Sequence, residues 1–353
     1  MVVITLLNIV VVIMAHLARF EKHRYLLAWA FVLLAFVLGV RYGYGNDYFS
    51  YKYMFETGTP EQGFIEDVEP GWRLLNNLFK PFGFSSMVFF LTCLEHLMIY
   101  DLIRRYVPPT YFSFAVFIYV FYGSYMLIGL SMMRQFLVQI IGLYTMEFAI
   151  KRKIIPFFLL FLLAFTIHKV ALLLLPLYLL PYLKTIRWWM LMIILLVLFF
   201  VLNRMEFLID QLIMLIQGAN MKYADSYLSD DILGGSHTWE KKVLSPFVIY
   251  FISFVRNMKF LNKAEMSFSW MVVLGLFIVP FQHMFPMAFR AVWVYSFAEI
   301  LMLPLLISKE RIPLLRYSLL FLYMASIILQ YISFFSSETF GPQYIEFKTI
   351  FFT

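Results

Sequence analysis

Between the second and third apolar stretches lies Arg41-Tyr-Gly-Tyr-Gly-Asn-Asp47-Tyr-Phe-Ser-Tyr51. These eleven residues hold a guanidinium, a carboxylate, two glycines and four tyrosines. An ordinary loop needs no such mixture. A site that holds an anion, approaches a sugar closely and moves a proton does. Asp47 follows Gly45-Asn46, where backbone can come close to a ligand, and is the first candidate to take a proton from a hydroxyl nucleophile. Glu69 is the second, because Pro70-Gly71-Trp72 forms a turn that fixes its direction. Tyr48, Tyr51 and Trp72 offer aromatic faces for a sugar ring. Glu56, Glu61, Glu66 and Asp67 read as solvated loop acids.

Arg41, Arg134 and Arg290 fall at helix ends on the side away from the main basic clusters. A guanidinium placed there is costly without an anionic partner, and its planar fork fits a phosphate. Taken singly, each is more simply explained by a loop carboxylate or by snorkelling to lipid phosphate. Three on one face, with His168-Lys169 beside them, point to a diphosphate site. Arg134-Gln135 opens a helix whose free N–H groups and positive dipole end favour an anion. A lone histidine in an apolar run is commonly a structural group bonded across helices. Followed by a lysine at a helix break, His168 reads instead as a phosphate or leaving-group contact.

His237 and His283 are weaker candidates, and His16, His23 and His96 read as peripheral. Asp225, Asp230 and Asp231 lack the histidine set that a metal site needs, so no metal and no cofactor is expected. Glu95 and Glu299, inside apolar runs, read as interhelical hydrogen-bond partners, and Asp101 as an ion-pair partner of Arg104 and Arg105.

The elements that must position these groups are membrane helices. The chain of 353 residues is 63% hydrophobic and 14% charged, with a mean hydropathy of +0.82. A soluble domain is about half apolar and a quarter charged. The apolar stretches have helix-spanning rather than barrel-strand length. A net charge of +7 here marks cytoplasmic loops rather than nucleic acid. The single cysteine, Cys93, excludes an intrachain disulfide. The first apolar stretch has no basic residue before it and reads as a retained helix.

Basic clusters at Arg19–Arg24, Arg104-Arg105, Lys151–Lys153, Lys184–Arg187, Arg256–Lys263 and Lys309–Arg311 all fall inside if residues 154–183 form a hairpin that turns at His168. One straight helix of that length would run about 45 Å, beyond the roughly 30 Å of hydrocarbon. The expected fold is an all-α polytopic membrane protein of about twelve transmembrane or half-membrane helices. Both termini lie on the outer, periplasmic face. Residues 1–353 form a single membrane domain with external loops at about 41–84 and 204–242.

In chain order, Arg41-x-Gly-x-Gly-Asn-Asp47-Tyr-x-x-Tyr51, Glu69-Pro-Gly-Trp72, Ser131-Met-Met-Arg134-Gln135 and Ala164-Phe-Thr-Ile-His168-Lys169 resemble the EpsG-type branch of the Wzy polysaccharide polymerases, enzymes of O-antigen and exopolysaccharide synthesis. Arg290 in a late helix and the tail Gly341-Pro-Gln-Tyr344 resemble that family's C-terminal features. Gly45-Asn46-Asp47 stands where the family usually has glycine-threonine-aspartate, and an extra residue separates Pro342 from Tyr344.

The resemblance implies a GT-C-like helical fold and metal-independent transfer of a growing glycan from undecaprenyl diphosphate onto a new lipid-linked repeat unit. It places the enzyme in the bacterial cytoplasmic (inner) membrane, with its site facing the periplasm or cell exterior. On this reading Asp47, or Glu69 in its place, takes the proton. Arg134, Gln135, Arg290 and His168-Lys169 hold the diphosphate, with Arg41 assisting. Tyr48, Tyr51, Trp72 and Tyr344 face the sugars. The implied partners are the lipid-linked donor and acceptor glycans and membrane lipid; a chain-length regulator protein is one more to test for, and nucleic acid is not expected. A lipid-linked oligosaccharide flippase or transporter is a rival that predicts inverted repeats, and none is visible. A glycan ligase uses the same donor and differs only in its acceptor.

Overall fold

The computed structural model describes residues 1–59, 68–183, 189, 190, 193, 236–279, 288–338 and 340–352. Nearly all of this is helical. Helix α1 (Val2–Leu17) and α2 (Tyr25–Gly39) form the first pair, and a two-residue strand β1 (Arg41–Tyr42) follows. The stretch expected as a turn-rich loop carries two helices, α3 (Tyr48–Thr57) and α4 (Pro70–Phe79). Gly58 closes α3 in the left-handed conformation, φ 75°. Pro70 opens α4 at the position where its fixed φ suits a helix start.

Next come α5 (Phe84–Tyr106), α6 (Phe112–Phe121), the short α7 (Met126–Ser131), α8 (Met133–Ile150) and α9 (Ile154–Ile167). Residues 154–183 double back: Phe157 packs on Tyr178 with ring centroids 5.0 Å apart, and Arg152 lies 4.9 Å above the Tyr182 ring. The returning arm, Lys169–Tyr178, is a 3₁₀ helix rather than an α-helix. Ten residues at a 3₁₀ rise cover about 20 Å, which matches the fourteen α-helical residues of α9.

The later helices are α10 (Ser236–Asn257), α11 (Lys263–Ile278), α12 (Ala288–Ser296), α13 (Glu299–Lys309), α14 (Pro313–Phe335) and the single turn α15 (Pro342–Ile345), before strand β2 (Lys348–Thr349). Helix α11 starts five residues earlier than hydropathy alone predicts, because Asn262 and Glu265 form a reciprocal capping box. The expected span from Met287 to Ile307 is broken: α12 and α13 are bent by 49°. The Tyr125 hydroxyl lies at this bend, 2.9 Å from the Ser296 carbonyl and 2.8 Å from Glu299 Oε2. Apart from Trp189, Met190 and Ile193, the helix expected over Trp188–Asn203 lies outside the described residues, as do the stretch 204–235 with Asp225, Asp230 and Asp231, the side chain of His237, and His283 with the turn around Pro286.

Among the described residues three helical stretches are long and apolar enough to cross a membrane, Glu21–Gly39, Phe84–Tyr106 and Pro313–Phe335, and the bent α12–α13 pair makes a fourth. The outward faces agree. Leu6, Trp29, Phe36, Leu159, Phe321 and Leu329 are all exposed, a continuous apolar exterior that lipid tolerates and water does not. Helix α8 is buried along almost its whole length and forms the centre against α9, the 3₁₀ arm and α11.

One end of the bundle gathers the cations. Arg105 pairs with Glu147, Lys263 reaches the Ile150 carbonyl, Arg256 binds Glu310 and Lys309 binds Glu265. The other end gathers the loop after α2, the start of α8, the hairpin break at His168 and the C-terminal tail.

Candidate active site

The loop after α2 is stitched in place by the tail. Strands β1 and β2 pair antiparallel, Arg41 with Thr349 and Tyr42 with Lys348. The Gly45 N–H donates to the Gln343 carbonyl at 3.4 Å. The Tyr344 hydroxyl donates to the Leu127 carbonyl at 3.1 Å, and its ring meets Tyr44 edge-on. Gly45 sits at φ 110°, and a Cβ there would come within 3.1 Å of the Ser131 Cα. Both facts require glycine. The close approach lets the Asp47 N–H donate to Ser131 Oγ at 3.0 Å, which fixes Asp47 beside the junction of α7 and α8.

Helix α4 brings in Glu69. A Cβ on Gly71 would lie 2.4 Å from Thr166 Oγ1 and 2.8 Å from its carbonyl oxygen, so only glycine lets α4 press against the end of α9. There the chain is extended at His168, φ −158° and ψ 135°, and the break frees the imidazole to meet the carboxylate. Glu69 is 4% exposed and binds on both sides. Its Oε2 receives Arg134 Nη1 at 2.5 Å. Its Oε1 accepts from His168 Nδ1 at 2.8 Å and from the Lys169 N–H at 3.3 Å.

Burial alone would raise the Glu69 carboxyl. The His168 hydrogen bond and the Arg134 charge outweigh it and hold the group at about 2. Donation from Nδ1 also fixes the imidazole tautomer and leaves Nε2 as the free nitrogen. Among the described residues Nε2 has no hydrogen-bond partner.

Arg134 is the second residue of α8. Its guanidinium lies 5.6 Å above the Tyr51 ring, and Tyr51 packs on Trp72 at 5.5 Å. Its Nε is buried without a hydrogen-bond partner, and the same holds for Arg290 Nε. Both guanidinium charges act on Asp47 and on His168, so the five side chains share one electrostatic neighbourhood. Burial raises the Asp47 carboxyl above the ordinary aspartate value, against the pull of the Ser131 hydroxyl and the two arginines.

The structure thus brings together Asp47, Glu69, Arg134, His168 and Arg290, from positions spread over most of the chain. Lys169 joins through its backbone, and its side chain is exposed. Gln135 is buried beside Arg134 with both amide atoms unpartnered.

The structure places several other assigned residues differently. Glu69, held at about 2 with both oxygens occupied, is a poorer base than Asp47; it braces Arg134 and His168. Arg41 turns inward, 2% exposed, and donates to the Leu38 carbonyl, Thr92 Oγ1 and the Leu130 carbonyl at 2.8, 2.7 and 3.2 Å. It ties α2, α5 and α7 together rather than facing a ligand. Tyr48 and Tyr344 are fully buried and bonded to backbone carbonyls, so neither is a sugar platform. Trp72 is likewise buried, behind Tyr51. His96 is not peripheral: it is buried, with Nδ1 on the Thr92 carbonyl and Nε2 on Tyr119.

Ser131 and Thr92 were not singled out in the sequence. Only the place of Ser131 three residues before Arg134 marked it. Asp101 pairs with Arg105 at 2.7 Å, and Glu299 accepts from Tyr125 across helices. Among the described residues no group of three or more His, Cys, Asp and Glu side chains is placed to hold a metal ion.

Neither a curated protein nor a solved structure matches the chain. The family model of the EpsG family matches residues 24–349, from the arginine before α2 to the second strand, with the whole described site inside it. On that match the chain belongs to the EpsG family.

Proposed function

We propose that this protein is a polysaccharide polymerase that joins undecaprenyl-diphosphate-linked oligosaccharide repeat units on the outer face of the bacterial cytoplasmic membrane. Family membership points to polysaccharide polymerisation. One observation carries the finer reading. Arg134 and Arg290 each keep a buried Nε without a partner, beside a carboxyl that burial has raised and a histidine braced by Glu69. Each guanidinium keeps an N–H that no protein group among the described residues takes, although Glu69 already pairs with Arg134; the oxygens of a diphosphate fit that remaining donor capacity.

On this reading the donor's diphosphate lies between Arg134 and Arg290. A hydroxyl of the second lipid-linked unit attacks the anomeric carbon. The bond from that carbon to the diphosphate oxygen breaks, and its electron pair leaves on the diphosphate. The hydroxyl proton passes to Asp47, whose raised carboxyl is a better base than an ordinary aspartate. The arginines stabilise the charge that grows on the leaving group. His168, its Nδ1 held by Glu69, turns its Nε2 towards that group. The membrane side follows from the cation-rich end, which the positive-inside trend puts in the cytoplasm. The site is at the opposite end.

The test is the glycan ladder from cells lacking this gene, complemented with wild type, Arg134→Ala or Asp47→Asn. A ladder restored by wild type alone, over single repeat units on the final acceptor, supports the polymerase. Intact polymer stranded on the lipid carrier would make the protein a ligase. Single units trapped on the cytoplasmic side would make it a flippase.

A further inference from the structure

The end of the bundle away from Asp47 carries an arginine cluster that the proposed reaction does not use. Arg24 precedes α2, and Arg104 and Arg105 close α5. With Pro109 and Phe112 they line a cavity of about 370 Å³. The fifteen residues of α2 separate Arg24 from Arg41, about 22 Å of helix, so this cavity is not part of the site around Asp47.

The three arginines are not equivalent. Arg105 is already neutralised, with Nη2 2.7 Å from Asp101 Oδ2 and Nη1 2.5 Å from Glu147 Oε1. Among the described residues the guanidinium groups of Arg24 and Arg104 have no hydrogen bond and no ion pair; Arg104 only lies 5.7 Å from the Tyr100 ring. At the same end Arg256, Lys263 and Lys309 are bonded, and Arg19 and Arg311 lie on the Phe20 and Phe260 rings away from the cavity lining. The cavity is therefore faced by two guanidinium groups that the protein itself leaves unpaired. Phe112 is buried and gives the cavity an apolar wall with Pro109.

We infer that this cavity binds a phosphate-bearing anion, held between Arg24 and Arg104. Basic pockets between membrane helices on the cytoplasmic side are suited to anionic headgroups. Guanidinium groups fit phosphate oxygens in pairs. The apolar wall favours the phosphodiester of an anionic phospholipid over free phosphate, since Pro109 and Phe112 would meet its glycerol and first acyl carbons.

The test uses the full chain, purified in neutral detergent. Binding of phosphatidylglycerol, of phosphatidylcholine and of inorganic phosphate is measured by native mass spectrometry and by protection against thermal unfolding. Each arginine near an anionic headgroup contributes about fivefold in affinity. Arg24→Gln with Arg104→Gln should weaken phosphatidylglycerol binding roughly 25-fold and leave the lipid-free melting temperature unchanged, because both side chains are exposed. Arg19→Gln with Arg311→Gln is the control: these arginines lie on Phe20 and Phe260 at the same end. Protection by inorganic phosphate that only the Arg24/Arg104 pair removes, without a lipid preference, would keep the site and make free phosphate its source. Equal binding of phosphatidylglycerol and phosphatidylcholine with no effect of phosphate, or an equal loss in the control pair, would overturn the site in favour of general surface attraction.

Discussion

Glu69 joins three groups that are far apart in the chain, and its removal is the sharpest test of the site. Its carboxyl falls from 4.5 to about 2 on folding. At roughly 1.4 kcal/mol per pH unit that difference corresponds to about 3.5 kcal/mol. Breaking a buried charge pair by removing one partner costs about 3–5 kcal/mol, because the other charge is left uncompensated. Glu69→Gln keeps the shape but can accept on one side only, so its amide N–H₂ faces either Arg134 or His168. The purified variant should lose about 3.5 kcal/mol in urea or thermal unfolding, and cells carrying it should make no polymer. Glu69→Gln combined with Arg134→Gln should be little less stable than Glu69→Gln alone, since Arg134 is already stranded in the single variant. The pH sign follows from the depressed carboxyl. Its contribution is fully present above about pH 4.5 and is lost as pH falls towards 2. Glu69→Gln should flatten stability in that window. If the losses of the two single variants simply add, or the acid window is unchanged, Glu69 does not brace Arg134.

Asp47→Asn should abolish polymerisation yet fold normally, because the backbone N–H bond to Ser131 is kept and an amide oxygen can still accept from the Ser131 hydroxyl. In wild type the acid limb of the rate profile should lie above 3.8, the ordinary aspartate value, since burial raises this carboxyl. Arg41→Lys should cost about 2–4 kcal/mol in unfolding, since an ammonium cannot reach three acceptors in the guanidinium's fixed geometry; an unaltered melting curve would restore Arg41 as a ligand group. Gly45→Ala should cost about 1–3 kcal/mol and lower activity, from φ 110° and the contact with Ser131, as denaturant titration and the glycan ladder would show.

Much of the site was legible because its side chains are expensive where they stand. Asp47, Arg134, His168 and Arg290 interrupt or end apolar stretches, and hydropathy alone exposes them. What they do to one another was not legible. Glu69 lies 65 residues from Arg134 and 99 from His168, and no spacing rule joins positions that only a packed bundle brings together. The same gap explains Arg41, Tyr48 and Tyr344. Their types suit ligand binding as well as burial, and only the fold shows that carbonyl oxygens already hold them. The hairpin turn at His168 was readable from length and charge. The 3₁₀ winding of its second arm was not, because hydropathy is blind to the number of residues per turn. At the bend between α12 and α13 the bonding partner is the Tyr125 hydroxyl, which comes from another part of the chain.

The pairing of β1 with β2 sets an order of events during biosynthesis. The loop that carries Asp47 leaves the ribosome early, yet the partners that shape it, Gln343, Tyr344, Lys348 and Thr349, are among the last residues translated. Until they arrive, the loop lacks its strand partner and Arg41 lacks the neighbours that fix its register. A nascent chain that has inserted only its first helices therefore cannot hold Asp47 against Ser131. The site around Asp47 is therefore complete only once the last residues of the chain have joined the bundle.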